Sequence, residues 1–242
     1  MVSLIQGIIL SIIQGITEWL PVSSSGHLAL IQNFFNINNL EYDVFLHFAS
    51  IFAVIYLFKK DILELFKKEN LRYLLLLIVA MIPIFFAGVF LREFVINSFT
   101  NIFSLGLFFC FSGILIYSTK FFKEKKEKIN FFDAFFIGLL QSIAIFPGIS
   151  RSGTTISAGL FKGIEKEKII KFSFLLSIPV ILGASLAEIK FININYSVLI
   201  ISFILTFLTS IFTIKILLKI IRKGKFYLFG IYNFILGILI LI

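Results

Sequence analysis

This chain is poor in cysteine, histidine and charge. Of 242 residues, one is cysteine, two are histidine, and 14% are charged. A lone cysteine forms no internal disulfide, and Cys110, in an apolar run, reads as a small packing residue. Two histidines and one cysteine at these spacings cannot complete a structural zinc set. No glycine-rich phosphate loop of the P-loop type is present. Residues 1–17 hold no Lys or Arg, so the basic flank of a signal peptide is missing. The first apolar stretch is therefore expected to stay in the mature protein. Charge is the most telling shortage. A soluble domain carries about 25% charged residues, and no helix here has the charged face that water requires.

What is present in quantity is hydrocarbon. The chain is 59% hydrophobic with a mean hydropathy of +1.05, which predicts an all-α integral membrane protein. Six apolar runs are of spanning length or nearly so: 44–58, 73–91, 101–119, 169–187, 196–218 and 227–242. Two more, 4–35 and 131–163, are broken by Pro21 and Gly26 and by Pro147, Gly148 and Gly153. Each broken run is expected to be a pair of half-helices that enters the membrane and turns back, which non-helical backbone tolerates only when buried in protein or lining a wet cavity.

The pattern divides residues 1–242, a single membrane domain, into two repeats, about 1–125 and about 128–242. Each is a re-entrant hairpin followed by three spans, and an odd number of spans inverts the second copy. The charges support that count. The loops at 59–72, 120–130, 162–171 and 215–225 fall on one side and hold 19 of the 22 Lys and Arg. That side is expected to be cytoplasmic, with both termini outside. The excess of +9 thus marks loops at a membrane and does not call for nucleic acid. Contact of those loops with lipid headgroups is a secondary reading.

The two breaks align without a gap. Residues 12–27 run against 139–154, and Gln14, Ile16, Ser23, Ser25 and Gly26 fall on Gln141, Ile143, Ser150, Ser152 and Gly153. Matching polar breaks in two halves of a membrane chain point to a site where the halves meet.

Several residues there could carry chemistry. Glu18 lies four residues after Gln14, on the same helix face. A carboxylate at membrane depth is by default a functional candidate, the plainer reading being a residue near the interface. Ser23, Ser24 and Ser25 precede the second half-helix, where hydroxyls cap and free amides attract phosphate. Any one could be a nucleophile with a base nearby, and His27 follows Ser24 by three residues. Arg151 falls opposite Ser24 and is always charged. It either pairs with Glu18 or grips phosphate, and Ser150, Ser152, Thr154 and Thr155 add donors around it. His47 reads equally well as a packed or a functional residue. Ser173, Ser177 and the Thr206–Thr213 series read as helix-packing residues, and Glu188 and Lys190 as the outer end of a span.

The runs Ser-Gly-His and Ser-Arg are similar to those of type-2 phosphatidic acid phosphatases. That family needs a histidine after its Ser-Arg, and here both histidines precede Arg151. A longer match exists. Residues 14–27, Gln-Gly-Ile-Thr-Glu-Trp-Leu-Pro-Val-Ser-Ser-Ser-Gly-His, and 147–155, Pro-Gly-Ile-Ser-Arg-Ser-Gly-Thr-Thr, resemble the two signatures of the bacterial undecaprenyl-diphosphatase (bacitracin-resistance) family. The resemblance covers essentially the whole chain. It implies two inverted-topology repeats with re-entrant helices, and a phosphatase of the plasma membrane. Such an enzyme removes one phosphate from undecaprenyl diphosphate to regenerate the cell-wall carrier lipid. It also implies a divalent cation, Mg²⁺ or Ca²⁺, a polyprenyl diphosphate partner and a site open to the outside; a homodimer is compatible with it. By motif match the family's functional positions fall on Gln14, Glu18, Ser24, His27, Ser150, Arg151, Ser152 and Thr155. Where the family has Glu or Gln, this chain has Gln14, which leaves Glu18 as the main anionic ligand for a metal. A lipid flippase on the same inverted repeats is the rival reading, since such repeats serve transport.

The topology is testable. In a Cys110→Ala background, Lys67→Cys and Lys128→Cys should react with an impermeant maleimide only after the membrane is opened, and Arg92→Cys in intact cells. Labelling of Lys67→Cys in intact cells would overturn the orientation.

Overall fold

A serine that can turn back on the helix it precedes is a strong start signal, and Ser3 does so. Its hydroxyl accepts the Gln6 amide, and the Gln6 side chain accepts the Ser3 N–H. In the computed structural model, which describes residues 2–37, 39–188 and 194–242, this opens α1 (Leu4–Thr17). The helix stops just before Pro21, which has no N–H to continue it. The chain restarts as α2 (Ser24–Phe34). In the second half, α8 (Phe131–Ile143) and α9 (Arg151–Phe161) flank the break at Pro147 and Gly148 in the same way. With 14, 11, 13 and 11 residues, these arms are about 16–21 Å long. None reaches across about 30 Å of hydrocarbon.

Between and after the hairpins run α3 (Leu40–Leu57), the short α4 (Lys59–Leu65), α5 (Leu71–Phe90), α6 (Arg92–Thr100) and α7 (Ile102–Ser118). The second half continues with α10 (Lys166–Glu188), α11 (Tyr196–Arg222) and α12 (Leu228–Leu241). Among the described residues, five helices are long and apolar enough to cross a membrane, those containing α3, α5, α7, α10 and α11. The run expected over 227–242 is shorter, a 14-residue helix. The run expected over 44–58 starts a turn earlier, at Leu40. Asn39 caps the Tyr42 amide, and Gln32 donates to Asp43, so the polar first turn is satisfied and stays helical. The connectors α4 and α6 were not foreseen as helices. Lys190 lies outside the described residues.

The packing is reciprocal. α1 lies against α11 and α8 against α5, so each hairpin rests on a long helix of the other half. α3 pairs with α10, and α7 with α12. Close approach needs small residues on the facing backbone. Gly138 on α8 faces the Ala80 carbonyl of α5, where a Cβ would stand 2.3 Å from the oxygen. Hydroxyls stitch the α1–α11 seam, with Thr206 donating to the Ser11 carbonyl. The core around Trp19, Phe172 and Phe174 is fully buried. The outer surface shows Phe85, Phe86, Phe90, Phe212 and Leu239, a face suited to lipid. Around the helix starts and short connectors, charges reappear as ion pairs, such as Lys126–Asp133 and Lys171–Asp61.

Gly138→Ala should therefore push α8 off α5 and cost about 1–3 kcal/mol. The readout is the thermal unfolding midpoint in detergent, and an unchanged midpoint would count against this seam.

Candidate active site

The two breaks are in contact. Ser23, with φ of 66°, turns its hydroxyl to accept two amides. One is Gly26 N–H on its own helix at 3.3 Å, the other Gly148 N–H of the second break at 3.0 Å. Such contact requires glycine on both sides. A Cβ on Gly26 would stand 2.9 Å from the Gly148 nitrogen, and Gly148 has φ of +98°, open to few other residues. Ser150 caps its own helix as Ser23 does, accepting the Gly153 amide at 3.0 Å. The gapless alignment is thus reproduced in space: Ser24 and Arg151, paired by it, are the first residues of α2 and α9.

Glu18 sits at the centre, with its side chain 5% exposed. One carboxylate oxygen, Oε1, meets Arg151 Nη2 at 2.5 Å. The other, Oε2, accepts the Ser24 hydroxyl at 2.5 Å and the Gln14 amide at 3.0 Å, and lies 2.9 Å from His47 Nδ1. A carboxylate this deep persists as an anion only with such partners. Arg151 also stacks on Trp19, its Cζ 5.6 Å from the ring centre. Three buried polar atoms around the pair have no hydrogen-bond partner among the described residues: Gln14 Oε1, Arg151 Nη1 and Trp19 Nε1. These are free valences beside a charged pair.

The remaining hydroxyls divide. Ser152 Oγ lies 3.3 Å from Ser150 Oγ and donates to the Leu20 carbonyl across the tips at 3.4 Å. Ser25 is half-buried beside Ser23, their oxygens 3.4 Å apart. Thr154 and Thr155 both donate to the Arg151 carbonyl at 2.9 Å. Thr155 also meets Ser173 Oγ at 2.6 Å, so it braces α9 on α10 from a fully buried position. The amides of Arg151 and Ser152, at the helix start, have no acceptor among the described residues and remain donors for an anion.

His27 departs from its expected pairing with Ser24. Its Nδ1 lies 2.7 Å from the Ser23 carbonyl, and its Nε2 lies 2.8 Å from the Tyr232 hydroxyl of α12. The Ser24 hydroxyl has turned instead to Glu18. His47, ambiguous in sequence, belongs to the cluster through Gln14 and Glu18. Two further residues come from α12: Tyr232, and Asn233, which donates to the Pro21 carbonyl at 2.7 Å. No spacing signal could have found them, since their partners lie 205 and 212 positions away.

A hydroxyl on a carboxylate, an arginine across from it and free helix-start amides are the parts of a phosphoryl-transfer site. Among the described residues no three of His, Cys, Asp or Glu gather as a metal cluster. Glu18 and the unpartnered Gln14 Oε1 are hard oxygen donors, suited to a Mg²⁺- or Ca²⁺-type ion that takes its other ligands from phosphate.

Comparison with known proteins points the same way. Residues 7–239 match the family described as bacitracin resistance protein BacA. A protein of Carboxydothermus hydrogenoformans named undecaprenyl-diphosphatase is 39% identical, covering 98% of this chain and 96% of its own length. Proteins of the same name from Halothermothrix orenii and Methanococcus vannielii are each 40% identical, covering 97% and 98% of this chain and 96% and 98% of their own lengths.

The ion pair has a thermodynamic signature. Arg151→Gln strands a buried carboxylate and should cost about 3–5 kcal/mol. Adding Glu18→Gln should restore much of that loss in thermal unfolding. A double variant no more stable than Arg151→Gln alone would contradict the pairing.

Proposed function

The chain belongs to the bacitracin resistance protein BacA family, and on that premise we propose how its two tips hydrolyse undecaprenyl diphosphate. The enzyme is an undecaprenyl-diphosphatase, a membrane hydrolase that frees inorganic phosphate and returns the carrier lipid used in cell-wall synthesis. The observation that carries the mechanism is the Ser24 hydroxyl held 2.5 Å from Glu18 Oε2, with Arg151 on the opposite oxygen.

In this reading Ser24 is the nucleophile and Glu18 its base. The Ser24 proton passes to Glu18, Oγ bonds to the terminal phosphorus, and the bridging P–O bond breaks. The lipid monophosphate leaves with the bridging oxygen. Neutralising Glu18 releases the charge of Arg151, whose Nη1 already lacks a partner, to the transferring phosphoryl group. The amides of Arg151 and Ser152 and the hydroxyls of Ser150, Ser152, Ser23 and Ser25 line the same anion site, while Thr155 steadies α9. A water then attacks the phosphoserine, one of its protons reaching the His27 imidazole and leaving to solvent as phosphate departs. Ser24 Oγ leaves phosphorus and recovers the proton from Glu18. A divalent cation held by Gln14 and, until it takes the Ser24 proton, by Glu18 would supply charge neutralisation for the diphosphate.

The orientation fits this chemistry. We place the basic loops in the cytoplasm and both termini outside, in the plasma membrane, with the halves as inverted copies. The reciprocal packing of α1 on α11 and α8 on α5 supports reading the halves as copies, since exchange of the halves turns one contact into the other.

Phosphate release from a polyprenyl diphosphate by the purified protein tests the assignment. Ser24→Ala should lose ~10³-fold or more in kcat, and the wild type, quenched in turnover, should carry phosphate on Ser24. Turnover by Ser24→Ala within about tenfold of wild type, or an adduct on another residue, would displace Ser24 as nucleophile.

A further inference from the structure

The last helix touches the first tip with two adjacent side chains. Asn233 is fully buried and donates to the Pro21 carbonyl. Tyr232 is half-exposed at the rim, its ring stacked on His27 with centroids 5.9 Å apart and planes 8° from parallel. Phe109 of α7 meets His27 edge-on at 5.4 Å, and α7 is the helix against which α12 packs. The imidazole is thus held on two sides by rings and at both nitrogens by hydrogen bonds.

Those bonds determine its tautomer. The Ser23 carbonyl can only accept, so His27 Nδ1 carries the hydrogen. In the neutral ring the Nε2 lone pair then faces outward, and the one group on it is the Tyr232 hydroxyl at 2.8 Å. A phenol both donates and accepts. It donates to Nε2 while the ring is neutral, and turns to accept once Nε2 has taken a proton. Either state of the ring is therefore hydrogen-bonded, and neither requires the ring to move.

We propose that Tyr232 relays the proton in the dephosphorylation half of the reaction. Its oxygen takes a proton from the water that attacks phosphoserine while its own hydrogen passes to His27 Nε2, and it then accepts from the imidazolium that results. The last helix is therefore part of the active site, through a residue half in view of the surroundings. This inference rests on the role given to His27 above.

The test is a double-mutant cycle on phosphate release in detergent micelles with a polyprenyl diphosphate. Tyr232→Phe keeps the stacked ring and removes only the hydroxyl. It should lower kcat about five- to tenfold, leave KM within about threefold, and raise the steady-state fraction of phosphoenzyme. In a His27→Ala background the same substitution should change kcat less than about twofold. Equal losses in both backgrounds would show that the hydroxyl acts through the fold, and would overturn the proposal. So would a Tyr232→Phe enzyme within twofold of wild-type kcat. Full turnover by His27→Ala would instead remove His27 from the mechanism, and Tyr232 with it, while leaving the Ser24 assignment standing.

Discussion

A buried carboxylate with an arginine on one oxygen holds this protein's two halves to one purpose. Glu18 comes from the first break and Arg151 from the second, 133 positions apart. Neither charge could stay in an apolar interior alone. The pair compels the two breaks to meet, and it leaves Glu18 Oε2 for Ser24, Gln14 and His47. Its stabilising role and its chemical role are the same arrangement. In the mechanism proposed above, a proton arriving on Glu18 weakens the pair and frees the guanidinium for the phosphoryl group.

The scaffold is organised around that meeting point. The four arms beside the breaks, of 11 to 14 residues, are too short to cross a bilayer, and the backbone groups where their ends meet are buried and need partners. The partners are internal: Ser23 serves amides of both tips, Ser150 serves its own helix, and Asn233 serves the Pro21 carbonyl. Glycines at 26 and 148 let the tips approach within contact distance. Each first arm rests on a long helix from the other half, so separating the halves would expose the arms as well as the site.

Much of the fold was legible because its signals are local. Apolar runs, the proline and glycine breaks and the serine caps all act within a few residues. Gln14 and Glu18 share a face because they are four apart, and the structure joins them. The extent of α3 was less legible, because its polar first turn is stabilised by Gln32 from α2. The pairing of Ser24 with His27, natural from a spacing of three, gave way to Glu18 and Tyr232. Helix position brings neighbours together but does not choose between competing partners.

The sequence by itself determined that the chain lives in a membrane, that it breaks twice at matching places, and that serine, glutamate and arginine stand at those breaks. These follow from hydrophobic length, backbone chemistry and a gapless internal alignment. Only the tertiary structure decided which groups touch: that Arg151 lies on Glu18, that Ser24 turns to the same carboxylate, and that His47, Tyr232 and Asn233 complete the cluster. Buried polar side chains take whichever polar partner the packing of distant helices delivers, and no local pattern in the chain encodes that delivery.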